Sequence, residues 1–146
     1  MRRSLGSTSR CVTVNDANNR QKFRDEGLIL VSHDRRDGVN AFRELTPKYF
    51  AFKQFSRFIL PGYVRLETPA AAPLVAAFRS PDARHVVVVL INPERLPLPV
   101  TLRITGDQAY QFAEHWLTDR QHQCASARWT GTLPAESVST LIYQTP

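Results

Sequence analysis

The stretch Thr46-Pro47-Lys48-Tyr49-Phe50-Ala51-Phe52-Lys53-Gln54-Phe55-Ser56-Arg57-Phe58-Ile59-Leu60-Pro61-Gly62-Tyr63-Val64-Arg65-Leu66 holds two periods in succession. Thr46 suits a helix N-cap. Pro47 suits the first helical position, where its missing N–H would have no intrahelical partner anyway. Tyr49, Phe52, Phe55, Phe58 and Ile59 then recur at spacings that put an aromatic stripe on one face of a helix over 46–60. Lys48, Lys53, Gln54 and Arg57 fall largely on the other faces, so the Phe52, Phe55 and Ile59 side is expected to pack against the sandwich or the segment 28–31. Pro61-Gly62 stops the helix, and the period drops at once to two, with Val64 and Leu66 alternating with Arg65 and Glu67.

Downstream, the period of two persists. Residues 74–78 are apolar and lie between Pro73 and Pro81. Residues 86–91, Val-Val-Val-Val-Leu-Ile, form a continuous β-branched run, the mark of a strand buried on both faces. Val100, Leu102 and Ile104 alternate with Thr101, Arg103 and Thr105. Residues 110–117 and 127–132 are weaker strand candidates, and 137–143 forms the last. Turn signals at 69–73, 80–82, 92–93, 106–107, 118–119 and Gly131 recur at the spacing of an all-β sandwich.

Upstream, residues 1–25 are polar, with an Asn-rich patch at 15–19 and no period of either kind. Residues 27–31, Gly-Leu-Ile-Leu-Val, read as one short strand ending at a charged turn over 33–38. The expected fold is mainly β: an antiparallel β-sandwich of about seven or eight strands, preceded by one α-helix and an irregular N-terminal segment. The expected division is 1–45 (irregular, with one short strand), 46–62 (helix and junction) and 63–146 (sandwich).

The chain has 146 residues, 42% hydrophobic and 22% charged, which is one globular domain's worth and argues against global disorder. Its ten prolines argue against a helical bundle. The net charge of +6 is spread along the chain apart from Arg2, Arg3 and Arg10, so no nucleic-acid partner is expected. The longest apolar run, 86–91, is far below the roughly 18–20 residues of a membrane span. The first ten residues are basic but lack an apolar core, so no secretory signal is expected in this chain. Cys11 and Cys124 form no CxxC or metal spacing, and their pairing stays open. His33, His85, His115 and His122 lack metal-ligand spacing. No metal and no cofactor is expected.

The 46–65 stretch resembles the junction in glycoside hydrolase family 30 that reads roughly P-x-Y-Y-x-x-x-x-F-S-x-F-I-R-P-G-x-x-R-I. One departure is Leu60, where the family usually has Arg. Residues 133–141 resemble that family's closing L-P-x-x-S-V-x-T strand, 86–92 its central strand ending in Asn, and Glu26 to Asp34 the stretch before its last barrel helix. The resemblance covers about 26–146. It implies the last helix of a (β/α)8 barrel followed by the β-sandwich fused to the barrel's side, a sandwich that also takes a strand from the enzyme's N-terminus. Members are often secreted or lysosomal.

Retaining glycosidases use two carboxyl groups about 5–5.5 Å apart. In the family these are glutamates at the ends of barrel strands four and seven, upstream of every matched position. No acidic residue is therefore carried over, and no catalytic residue is assigned. The expected function is a non-catalytic sandwich domain of a retaining β-glycoside hydrolase, inactive alone, with a barrel catalytic domain as its partner in the parent. The alternative is a stand-alone carbohydrate-binding sandwich. It would use Trp116, Trp129 and Tyr110, with Tyr143, as a stacking platform, and His33 as a loop contact. Core packing is the competing role for these aromatics.

Overall fold

The computed structural model describes residues 14–16, 27–33, 40–68 and 74–146. Most of the polar head, the turns expected at 34–38 and 69–73, and Cys11 lie outside the described residues. The chain divides into two compact units, 1–49 and 50–146.

In the first unit, β1 (Val14–Asp16) pairs in parallel with β2 (Ile29–His33), and β2 pairs antiparallel with β3 (Asn40–Leu45). The apolar run at 27–31 becomes β2. The other two strands carry too little apolar alternation to be read from sequence. Thr46 is tied to the entry of β2. Its N–H donates to the Leu28 carbonyl at 3.0 Å, and its hydroxyl donates to the Gly27 carbonyl at 2.9 Å.

The helix α1 spans Pro47–Ser56 and ends earlier than 60. The Ile59 N–H still reaches the Phe55 carbonyl at 2.9 Å, so the chain continues as a loosening turn. Gly62 then adopts φ +91°, a left-handed conformation that glycine takes without steric cost. A Cβ there would sit 3.1 Å from Pro81 Cγ.

In the second unit, β4 (Val64–Leu66), β5 (Val75–Arg79), β6 (His85–Asn92), β8 (Gln111–Thr118), β9 (Gln123–Ser126) and β11 (Ser137–Gln144) form one sheet of order β4-β5-β6-β11-β8-β9. Every pairing in it is antiparallel. A ribbon of β7 (Leu98–Pro99) and β10 (Thr132–Leu133) forms separately.

The run at 86–91 sits in the middle of the sheet, and 86–90 are all buried, as its unbroken apolar pattern requires. Val86, Val88 and Leu90 join Ala77, Leu133 and Leu141 in the sandwich core. Val87 and Val89 point to the opposite face. Each such side chain contributes about 1.5–3 kcal/mol by leaving water.

Two expectations are corrected. Residues 100–104 keep their period of two, and Val100, Leu102 and Ile104 pack on the core, but this segment forms no strand. Alternation reports which side chains point inward, whereas a strand also needs a partner ladder. The Val100 N–H does bond to the Gly131 carbonyl at 2.9 Å. Residues 127–131 likewise are not a strand and run between β9 and β10.

Candidate functional site

The helix seats on the sheet through a face other than its aromatic stripe. Phe50 and Gln54 are its buried residues, Gln54 completely so, while Phe52 is 48% exposed. The expectation that Phe52, Phe55 and Ile59 form the packing side is therefore corrected, since Phe55 and Ile59 are only half-buried. The reason is polar. Gln54 Nε2 donates to Thr118 Oγ1 of β8 at 2.8 Å, and Thr140 Oγ1 of β11 donates to the Gln54 carbonyl at 2.9 Å. Thr118 Oγ1 donates in turn to the Phe50 carbonyl at 3.3 Å and accepts the Cys124 N–H at 3.1 Å. Cys124 is a buried free thiol with φ +53°. Burial pushes its pKa up, opposed by the Lys53 and Arg57 cations.

Trp116 lies on this same face of β8. Its register partner on β11 is Thr140, which bonds the helix. The Arg57 guanidinium sits 4.0 Å from the Trp116 ring centroid, and the Phe58 ring 5.5 Å away at 44°. The indole Nε1 donates to Glu114 Oε2 at 2.7 Å. Arg57, Phe58 and Glu114 thus complete this cluster. The helical period places Arg57 only on the helix's polar side, because it carries no information about a strand far downstream.

Trp129 is on the other side. It packs on the sandwich core, with its ring 5.2 Å from that of His115 at 76°. His115 precedes Trp116 in the strand and so points to the opposite face. Tyr110 also packs on the core, and its hydroxyl donates to the Ala83 carbonyl at 2.8 Å. Tyr143 joins the same layer, edge-on to Phe112 at 5.8 Å, and burial raises its pKa. The structure brings Trp129, Tyr110 and Tyr143 to one layer and Trp116 to the other. His33 ends β2 in the first unit, in register with Asn40.

Several carboxylates serve local structure. Asp119 accepts the Gln121 and His122 N–H groups at 2.8 and 2.7 Å and the His122 ring at 2.8 Å. Burial raises its pKa, but these bonds outweigh that and hold it below the usual range. Asp82 is lowered by the Ser80 hydroxyl, 2.6 Å away, and by the Arg84 N–H. Glu136 pairs with Arg120. The buried Asn92 closes the end of β6 by donating to the Leu96 and Pro134 carbonyls at 3.0 and 2.8 Å and accepting the Glu94 N–H. Among the described residues, no group of three or more His, Cys, Asp or Glu is placed to hold a metal ion. No described helix is long and apolar enough to cross a membrane.

An antiparallel sheet backed by one helix, with a smaller layer over its other face, defines the class: a helix-backed β-sandwich. No family model matches the sequence, and no curated protein matches it. Solved structures do match. A family 30 endoxylanase from Clostridium papyrosolvens superposes with a TM-score of 0.60 at 22% identity, over 69% of this chain and 28% of that one. A family 30 subfamily 8 xylanase from Clostridium acetobutylicum gives 0.55 at 24%, over 82% and 31%. Xylanase C from Talaromyces cellulolyticus gives 0.55 at 23%, over 82% and 28%. The chain spans less than a third of the length of each. Its fold is that of part of a family 30 glycoside hydrolase.

Proposed function

We propose that this chain is the β-sandwich portion of a retaining family-30-type glycoside hydrolase and carries no catalytic pair of its own. The parent would hydrolyse O-glycosyl bonds in carbohydrate or glycolipid, with xylan the first substrate to try because three of the matched structures are xylanases. The observation that carries the reading is the shared fold over most of this chain and under a third of each xylanase. Four of the seven carboxylates of the second unit support it. Asp82, Asp119, Glu114 and Glu136 are engaged in turns and surface pairs, whereas retention calls for two carboxyl groups facing one substrate at about 5–5.5 Å.

The test is an assay of the purified chain on xylan and on chromogenic β-xylosides and β-glucosides. No turnover above buffer is expected. Turnover that co-purifies with the chain through successive columns would sink the proposal. Reading the genomic frame upstream of Met1 sharpens it, and a barrel with two strand-end glutamates there is the expected find.

A further inference from the structure

His115 is 4% exposed, on the core face of β8. Its Nε2 hydrogen-bonds Ser139 Oγ of β11 at 3.1 Å, and Ser139 is fully buried. Its Nδ1 has no hydrogen-bond partner. The Arg128 backbone lies close enough to favour the charged ring, against the larger effect of burial. The edge contact with Trp129 covers the ring, and Trp129 belongs to the unladdered segment 127–131. That segment is pinned at its ends by the Ala127 N–H on the His115 carbonyl and by the Gly131 carbonyl on the Val100 N–H, each at 2.9 Å. β11, beneath the ring, is held by ladders on both sides.

We propose that His115 is an acid-operated latch: when solvent delivers a proton to its free ring nitrogen, the 127–131 segment lifts Trp129 off the core face while the six-stranded sheet stays intact. A charged imidazolium has two N–H donors and needs two acceptors. The site offers Ser139 and the Arg128 carbonyl, whose pull favours the charged ring but is outweighed by burial. The charged and titratable groups around it do not help. His122, on the β8–β9 turn, is of like sign when protonated and disfavours the charge. Arg128 is exposed beside Trp129 and is a cation. Tyr143 on β11 is a neutral phenol. Of the nearby carboxylates, Asp119 is committed to His122, and Glu114 bonds Trp116 on the opposite face. The least costly way to hydrate the cation is to move the cover that has no ladder.

The direction follows from linkage. Burial pushes the His115 pKa below its ordinary value of 6.5, so the open form binds the proton more tightly than the closed one. The closed state is fully favoured above that value and loses ground as pH falls below it.

The experiment uses the full chain with Trp116→Phe, leaving Trp129 as the single indole. Acrylamide quenching and far-UV circular dichroism are followed from about pH 8 to pH 5, with the His115 ring titrated by NMR. Trp129 quenching is expected to rise severalfold, with a midpoint below 6.5 that coincides with the His115 ring, while the dichroism stays native. His115→Gln is expected to flatten the rise, and His122→Gln to retain it. The proposal is overturned by an unchanged rise in His115→Gln or by quenching that stays flat until the dichroism collapses. Should His115→Gln not fold, a ring midpoint that differs from the quenching midpoint in the parent chain overturns it equally.

Discussion

The two faces of the six-stranded sheet are sealed by opposite means. Toward the smaller layer, Val86, Val88, Leu90 and Leu141 meet Leu133 and the half-buried Val100, Leu102 and Ile104, a contact that is mainly apolar and, away from the His115–Ser139 bond, has no direction of its own. Toward the helix, Thr118 and Thr140 from two neighbouring strands hold the side chain and carbonyl of one fully buried glutamine. Apolar packing supplies energy but tolerates sliding. Hydrogen bonds at fixed positions select one seating of the helix, because any other leaves buried donors unpaired. Gln54 Oε1, buried without a partner, marks the cost of that arrangement.

This contrast can be broken at its apolar end first. Leu141→Ala should cost about 2–5 kcal/mol in urea unfolding, as a large-to-small change at a fully buried site. A loss under about 1 kcal/mol would show that the smaller layer collapses into the void. At the polar end, Thr118→Val should cost about 1–3 kcal/mol, because it leaves Gln54 Nε2 and the Cys124 N–H unpaired. Adding Gln54→Leu to Thr118→Val should recover part of that loss, and additive losses would show that the two residues are uncoupled. Phe52→Ala should be the mildest, within about 0.5 kcal/mol, since the ring is 48% exposed. A larger loss would return the aromatic stripe to a packing role.

What the sequence made legible followed how strictly a pattern constrains the chain. Residues 86–91 had one reading, because six apolar residues in a row leave no face for water, and β6 is buried throughout that run's centre. The helix between Thr46 and Gly62 was equally plain, but its orientation was not. Aromatic residues occur around much of its circumference, and the side chain deepest in the interface is a glutamine. A polarity pattern places Gln54 outward, and only the partners Thr118 and Thr140, far along the chain, reverse that. The same blindness affects the aromatic candidates. Trp116 and Trp129 are alike in type, yet strand parity puts the first against Arg57 and a loop puts the second against His115. At 100–104 the inward alternation was read correctly, and the missing ladder was a property of neighbours that period alone does not report.

The position of β11 sets the order in which the sheet can be made. It is the last described strand in sequence, yet it lies between β6 and β8 and pairs along its length with both. During synthesis β4, β5 and β6 emerge as a set that can pair with one another, and β8 and β9 emerge as a hairpin. The two sets share no ladder until residues 137–144 leave the ribosome. Until then the inner edges of β6 and β8 are both open, and β6 presents its valines beside unpaired backbone, the condition that favours pairing with the wrong chain. The sheet therefore closes in one late step, when a single strand joins two waiting halves.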